Sequence, residues 1–291
     1  MRKIFIEELV KLNSKKKNIY LGINDLGFNV IEPFKKKFPK QFFNAGVSEQ
    51  SMMGLSAGIA SEKCQTFVYS IANFTTFRCA EQIRNDVDYH KLPVTIVSVG
   101  AGVGYGNLGY SHHALQDYAL MRSFPNMLIM SPGNNQELIA SLKFIVKNPQ
   151  PSYLRLDKDE IVEDNRNKYL KIEPGKPVKI LDRSKKNAIF VTGKMQDVAY
   201  SLIKKKYKGY SIYSLPIWGM KTKKKFFSSI NKFSNIVTVE DHFYDGGFGS
   251  WVGEILKTYK NNIKIKSEYI MPDCIYEVGS KNYLLGKYGP K

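Results

Sequence analysis

The chain has 291 residues, 43% of them hydrophobic, which is enough to bury one large core or two ordinary ones. No segment is an apolar, uncharged run of about 18 residues, so the sequence predicts neither a signal peptide nor a membrane span, and we expect a soluble, cytoplasmic protein. The formal net charge is +18, but short lysine runs such as residues 15–17 and 204–206 carry the excess without interleaved aromatic residues, which favours a solvated surface over nucleic-acid binding.

Residues 1–156 alternate between apolar runs and amphipathic segments. Because the apolar runs are nearly continuous, they are typical of parallel strands buried on two faces by the helices between them. Ser48 and Asn134 stand before helical segments and are suitable N-caps. This pattern predicts a doubly wound α/β domain with strands at residues 19–23, 66–70, 94–99, 127–131 and 152–156.

Residues 157–177 are polar and charged, contain glycine and proline, and show no apolar period, as expected of an interdomain connector. A second α/β unit follows at residues 178–291. Its predicted strands lie at 188–192, 210–214, 235–240 and 263–267, and its predicted helices at 195–205, 222–232 and 249–259.

The segment FNAGVSEQSMMGLSAGIA places Glu49 at the start of a helix, after a turn at Gly46. A helix N-terminus stabilises an ionised carboxylate, whereas burial in an apolar cleft favours the neutral acid, so Glu49 could be a cap or a tuned acid. From the residues alone the cap is favoured. Phe74 and Phe77 follow at helical spacing, and alone such a pair more often indicates core packing.

A glycine-rich loop with the sequence GAGVGYGNLG follows the strand at residues 94–99 and ends in His112 and His113. No convincing helix comes after it, so a dinucleotide fingerprint is rejected. Adjacent histidines in an extended loop cannot both point into one pocket, so at most one is functional. Loops after parallel strands are the usual ligand sites of α/β sheets.

Six segments resemble, in the same order, the pyrimidine-binding domain of transketolases, deoxyxylulose-phosphate synthases and 2-oxo acid dehydrogenase beta subunits: GVSEQ, YSIANFTTF, KLPV, SHHALQD, PNMLIMSPGNNQEL and PSYLRLDK. FVTGKMQDVA, SLPIW and VTVEDHFYDGGFGSWVGEIL are similar to the C-terminal domain that follows in this superfamily. The resemblance implies two doubly wound α/β domains. Residues 1–156 would form a pyrimidine-binding domain with a mainly parallel sheet, 157–177 a linker, and 178–291 a smaller transketolase C-terminal-like domain with a mixed sheet.

The resemblance implies that thiamine diphosphate is the cofactor and assigns residues to it. Glu49 matches a glutamate that hydrogen-bonds the aminopyrimidine ring and favours the tautomer able to deprotonate the thiazolium carbon. Phe74 and Phe77 would wall or stack on the pyrimidine, which reverses the core-packing interpretation. Asp25, in GINDLG, matches a cofactor- or substrate-side acid more loosely.

For the substrate, His112 matches a histidine beside the donor's carbonyl end, and Arg155 an arginine that grips the distal phosphate or polar tail. Leu108 and Gly100 stand where transketolases have an aspartate and a histidine. The sugar is therefore left open, and an unusual ketose, such as a deoxy or nucleotide-linked sugar, is a hypothesis. The polar cluster at residues 240–242 is expected to be structural or to lie at a dimer interface.

The GDG motif that binds the diphosphate and Mg²⁺ in transketolases does not occur in this sequence. The resemblance therefore implies an N-terminal transketolase-like partner subunit that carries the metal ligands, and an α₂β₂ assembly. The implied reaction transfers a two-carbon ketol unit from a ketose donor to an aldose acceptor through a thiamine diphosphate carbanion.

Three other functions are less well supported by the sequence. A 2-oxo acid dehydrogenase beta subunit shares the architecture and the glutamate, but the SHH segment and Arg155 favour sugar donors. A catalytically silent regulatory subunit is disfavoured because Glu49, the two phenylalanines and His112 are retained together. A nucleic-acid-binding module has no supporting motif.

Overall fold

The computed structural model describes residues 1–158, 170–260 and 262–291, and within these ranges the chain forms two β-sheets with helices packed on them. The strands are β1 (Ile19–Ile23), β2 (Phe42–Asn44), β3 (Gln65–Ile71), β4 (Val94–Val99), β5 (Leu128–Met130), β6 (Ser152–Leu156), β7 (Val178–Leu181), β8 (Asn187–Val191), β9 (Ser211–Ser214), β10 (Ile217–Trp218), β11 (Asn235–Val239) and β12 (Lys264–Glu268).

The helices are α1 (Arg2–Lys16), α2 (Glu32–Lys37), α3 (Glu49–Ser61), α4 (Ala72–Thr75), α5 (Ala80–Gln82), α6 (Asp117–Met121), α7 (Asn135–Lys147), α8 (Gln196–Lys205), α9 (Lys223–Ile230), α10 (Phe248–Thr258) and α11 (Lys281–Tyr288). Asn134 caps α7, because its side chain accepts a hydrogen bond from the Glu137 amide. Ser48 occupies the N-cap position of α3, but its hydroxyl donates to the Ala45 carbonyl instead.

The first sheet has the strand order β10-β5-β6-β4-β3-β1-β2, and every neighbouring pair is parallel except β10 with β5. The second sheet has the order β12-β11-β8-β9-β7, in which only β7 with β9 is antiparallel. The predicted fold class, a mainly parallel sheet followed by a mixed one, is confirmed.

Every predicted strand agrees with an observed strand to within one residue at each end. Sequence patterning missed β2, β7 and β10. Strands β2 and β10 are only three and two residues long, too short to show a period. The predicted boundaries at 156 and 178 stay a prediction, and residues 159–169 of the predicted linker lie outside the described residues.

Strand β10 joins the two sheets, because it lies within the second sequence unit yet pairs with β5 of the first sheet. The indole of Trp218 in β10 donates to the Thr192 hydroxyl, just after β8 of the second sheet, at 3.0 Å. Trp218 also packs on Trp251 of α10, with ring centroids 5.2 Å apart. One apolar cluster therefore contains residues of both sheets, including Ile96 of β4 and Phe190 of β8.

Arg155 of β6 makes a buried network of polar contacts, and its side chain is fully buried. Its Nε donates to Asp117 at 2.7 Å, and its Nη1 to Asp241 at 2.5 Å and Tyr118 at 3.3 Å. Its Nη2 donates to the carbonyls of Ala114 at 2.9 Å and Asp241 at 3.2 Å. Because a guanidinium has five N–H donors, all of them are occupied.

The expectation that Arg155 grips the substrate is therefore wrong for this structure, since no donor and no exposed surface are left for a ligand. The interpretation of residues 240–242 as structural agrees with the contacts. Asp241 pairs with Arg155, and the Glu240 carboxylate accepts from the amides of Phe248 and Gly249 at the start of α10.

No helix in the described part of the chain is long and apolar enough to cross a bilayer.

Replacing Arg155 with alanine should lower the free energy of unfolding by about 3–5 kcal/mol, because two buried carboxylates would lose their partner. Urea unfolding measures this. Arg183→Ala is the control, because Arg183 is exposed and its loss should change stability by less than about 0.5 kcal/mol. An Arg155 variant of unchanged stability that lost only affinity for a sugar phosphate would restore the substrate-binding role.

Candidate functional site

The candidate site lies at the carboxyl edge of the first sheet, where the segments after β1, β3, β4 and β6 meet. Asp25 follows β1, the segment with Phe74 follows β3, and the glycine-rich loop with His112 follows β4. Parallel α/β sheets bind ligands at this edge, because their connecting loops gather there.

Glu49 is the first residue of α3, and its carboxylate is only 7% exposed. Its Oε1 accepts a hydrogen bond from Arg78 Nη1 at 3.0 Å. No described residue bonds Oε2. The carboxylate therefore does not cap its own helix through a side-chain bond, and one oxygen stays open to a ligand.

Phe74 and Phe77 do not share the face of one helix. Helix α4 ends at Thr75, Thr76 has φ −101° and ψ −77°, and a 3-10 turn, Phe77–Cys79, follows. Phe74 is half-buried, whereas Phe77 is 45% exposed. The core-packing interpretation therefore does not describe Phe77, whose ring offers an apolar surface beside the site.

Arg78 connects three of the predicted site residues. Besides its bond to Glu49, its guanidinium lies 3.9 Å from the centroid of the Phe74 ring. Its charge also acts on His112, whose pKa is lowered below its ordinary value by burial and then by Arg78. Sequence reasoning missed Arg78, although its position four residues after Phe74 was an available signal.

His112 is half-buried, and its ring stands edge-on to Phe74 with centroids 5.2 Å apart. Its Nδ1 lies 2.9 Å from the Ser111 hydroxyl. His113 is completely buried and its Nε2 lies 3.4 Å from the Gly106 carbonyl, so it supports the loop from inside. The amide of Asn73 donates to the carbonyls of Ser111 and His113 and ties this loop to the Phe74 segment.

Asp25 is exposed and has a left-handed backbone with φ 50°. Its backbone amide donates to Asn44 Oδ1 at 2.9 Å, and its carboxylate accepts from Asn44 Nδ2 at 3.2 Å. Asn44 Oδ1 also accepts from the Gly46 amide, in the turn before Glu49. Asp25 thus lies at the same edge, but the described residues show no direct contact between it and Glu49, Phe74 or His112.

The two departures from the transketolase pattern lie in the same loop region. Leu108 is 55% exposed. Gly100 has φ 94°, and the ring of Tyr105 covers its Cα. Tyr105, which sequence reasoning also missed, lies 6.3 Å from the His112 ring.

These groups fit an aminopyrimidine, because they combine an open carboxylate oxygen with exposed and half-buried aromatic rings. They do not fit a divalent cation: the described residues contain no cluster of three or more histidine, cysteine, aspartate or glutamate side chains able to hold one.

Comparisons of the sequence and of the structure with known proteins point to the same family. The family model described as the transketolase pyrimidine-binding domain matches residues 1–162. A Methanocaldococcus jannaschii protein provisionally named as a transketolase C-terminal section is 35% identical over 99% of this chain and 92% of its own length. One of the subunits of an apulose-4-phosphate transketolase from Phocaeicola vulgatus is 29% identical over the same shares of the two chains.

Longer relatives match over only part of their length. A 1-deoxy-D-xylulose-5-phosphate synthase from Clostridium perfringens is 32% identical over 88% of this chain but 44% of its own. Among solved structures, a split-gene transketolase described as an inactive β4 tetramer has a TM-score of 0.86, with 29% identity over 100% of this chain and 93% of that one. A Pichia stipitis transketolase has a TM-score of 0.71 at 19% identity and shows likeness of fold alone.

Arg78→Gln should raise the pKa of His112 towards its ordinary value, because removal of a nearby positive charge makes protonation easier. A pH titration of the imidazole proton signals by NMR measures this. The control is Arg84→Gln, which removes a neighbouring arginine that bonds the Asn85 side chain. A His112 pKa that stays the same in Arg78→Gln would contradict the electrostatic link.

Proposed function

The chain belongs to the transketolase pyrimidine-binding domain family, and we propose that it is the C-terminal subunit of a two-component, thiamine-diphosphate-dependent transketolase. The proposed reaction moves a two-carbon ketol unit from a ketose phosphate or activated sugar to an aldose. The observation that carries the proposal is the nearly buried Glu49 carboxylate with one oxygen open. Arg78 links it to the ring of Phe74, which in turn meets the ring of His112.

Thiamine diphosphate, when bound, supplies the electron sink for breaking the carbon–carbon bond next to a ketose carbonyl. Glu49 holds a proton at the pyrimidine ring nitrogen, and Arg78 fixes the orientation of the carboxylate from its other oxygen. Phe74 and Phe77 cover the heterocycle and exclude water.

His112 is the proposed substrate-side residue. Because burial and Arg78 lower its pKa, its imidazole is neutral at neutral pH and can accept a proton at one nitrogen. The Ser111 hydroxyl beside Nδ1 and the edge of the Phe74 ring hold the imidazole in place. We propose that Nε2 exchanges a hydrogen bond or a proton with the oxygen at the donor's carbonyl end.

A partner subunit is proposed for two reasons. This chain has no candidate cation cluster in its described residues, so the ligands for Mg²⁺ and the diphosphate would come from an N-terminal transketolase-like chain. Large apolar side chains are also exposed near Glu49 in the chain or next to its partner Arg78: Val47 at 79%, Leu55 of α3 at 51% and Phe77 at 45%. Such a patch on a folded chain is typical of a surface that another chain buries. An α₂β₂ assembly is the proposed arrangement.

Glu49→Gln, assembled with the partner, should lower kcat for ketol transfer by a factor of about 10²–10⁴, because glutamine cannot deliver the proton. Transfer from a panel of ketose phosphates and hydrogen–deuterium exchange of the thiazolium proton are the two measurements. Glu62→Gln is the control, because Glu62 is exposed at the other end of the same helix.

Gel filtration should show that the two variants bind the partner subunit equally well. Transfer and exchange at the wild-type rate in Glu49→Gln would remove Glu49 from the proposed role. Absence of transfer and exchange in the wild-type assembly would instead favour a silent subunit.

A further inference from the structure

The amino edge of the second sheet carries a lysine-rich cavity that the proposed reaction does not use. Strands β8, β9, β11 and β12 are parallel, and the segments before β8 and β11 lie side by side at this edge. The amides of Ser234 and Asn235 donate to the Lys186 carbonyl at 2.7 and 3.1 Å, so main-chain bonds hold the two segments together. Because ligands of α/β sheets usually bind at the carboxyl edge, the fold itself does not account for this cavity.

Four lysines and one aspartate line the cavity, which has a volume of about 490 Å³: Lys179, Asp182, Lys185, Lys186 and Lys232. The Asp182 carboxylate accepts a hydrogen bond from Lys179 at 2.7 Å. No carboxylate in the described part of the chain pairs with the other three lysines. The cavity therefore has an excess of positive charge that an anion would balance.

The charges of these lysines converge on one place. The pKa of the Asp182 carboxyl is lowered below its ordinary value, first by its bond to Lys179 and then by the charges of Lys185 and Lys232. Lys185 comes from the loop before β8, whereas Lys232 follows α9. An anionic group beside Asp182 would therefore meet cations from two separate segments of the chain.

The loop between β7 and β8 is held in place by two serine hydroxyls. Ser184 Oγ accepts hydrogen bonds from the amides of Lys186 and Asn187 at 3.1 and 3.0 Å. Ser211 Oγ, at the start of β9, accepts from the amides of Arg183 and Ser184 at 2.9 and 2.8 Å. Because the backbone of the loop is already fixed, a ligand would lose little affinity to the ordering of this segment.

A smaller cavity of about 260 Å³ adjoins the first, because Tyr213, Lys232 and Phe233 line both. Its walls also include Pro177 and Phe190. The Tyr213 ring is half-buried, stacks on Phe190 with centroids 5.3 Å apart and meets the Phe233 ring edge-on at 5.6 Å. Tyr213 therefore forms a rigid aromatic wall beside the lysines, on which a flat ring could pack.

The serine hydroxyls around these cavities already have partners. Ser228 and Ser229 donate to main-chain carbonyls of their own helix, α9, at 3.1 and 3.2 Å, and the Ser184 hydroxyl bonds the backbone amides of its loop. A sugar would therefore find few partners for its hydroxyl groups here. An aromatic base needs an apolar wall and a polyphosphate needs cations, so the two cavities together fit a nucleoside polyphosphate better than a sugar phosphate.

We propose that this pair of cavities is a binding site for a nucleoside polyphosphate. The base packs against Tyr213 in the smaller cavity, and the phosphates lie over Lys185 and Lys232 in the larger one. Asp182 repels the phosphates and so limits the affinity of the site. This binding does not depend on the proposed ketol transfer.

Calorimetric titration of ATP into the full chain tests the site at physiological ionic strength, which screens non-specific attraction between exposed charges. ATP should bind about tenfold more tightly than tripolyphosphate or adenosine, because each of these has only one of the two parts. Replacing Lys185 and Lys232 together with glutamine should weaken ATP binding by about tenfold. The control replaces Lys15 and Lys36 together with glutamine, because it removes the same charge from exposed positions of α1 and α2.

Two single variants test the two parts of the site. Asp182→Asn should strengthen ATP binding by about threefold, because it removes the carboxylate nearest the lysines, and Asp182 is exposed, so the fold should not change. Tyr213→Leu should weaken ATP binding by about tenfold and leave tripolyphosphate binding unchanged, since it removes only the aromatic wall. Thermal unfolding of each variant checks that it is folded.

Several outcomes would overturn the nucleotide site. Equal affinity for tripolyphosphate and ATP would show a surface that attracts any polyanion. Absence of ATP binding, or an ATP affinity that falls equally in the lysine pair and in the control pair, would also overturn it. A short RNA oligonucleotide that binds more tightly than ATP, with the same loss in the lysine pair, would assign the cavities to a nucleic acid instead. None of these outcomes changes the case for the transferase.

Discussion

The buried guanidinium of Arg155 is the constraint on which the rest of the structure depends. A charge in this position is stable only if each of its donors is paired, and the partners come from α6, from the loop after His112 and from the strand end at Asp241. The bond to the Ala114 carbonyl fixes the chain two residues after His112. Arg155 therefore adds a polar link between the two sheets to the apolar one made by β10, and it fixes the loop that carries the proposed substrate-side histidine.

The site that this core supports is open on one side. Glu49, Phe74 and His112 follow one another along the carboxyl edge of the first sheet, and apolar side chains are exposed near the acid in the chain or next to its partner Arg78. Residues that would hold a heterocycle are present, and a candidate cation cluster is absent from the part of the chain that the structure describes. This asymmetry is consistent with the proposal that the cofactor is bound between two chains.

Much of the fold could be predicted from the sequence, because long buried strands carry a continuous apolar signal. The two-residue strand β10 carries no such signal, since its place is set by packing of Trp218 against the second sheet. For the site, the roles that motif order assigns to Glu49 and His112 stay predictions, whereas the role that it assigns to Arg155 disagrees with the contacts of that residue. The sequence alone does not show whether an arginine at a strand end faces a ligand or a buried carboxylate. The structure distinguishes these cases, because it places Asp117 and Asp241 against the Arg155 guanidinium.

The central claim is that this chain carries only the pyrimidine half of a shared cofactor site. Calorimetric titration of thiamine diphosphate with Mg²⁺ tests it most directly, first into this chain alone and then into its mixture with an N-terminal transketolase-like subunit. The account predicts tight binding in the mixture and none to the chain alone. Tight, Mg²⁺-dependent binding to this chain alone would contradict it.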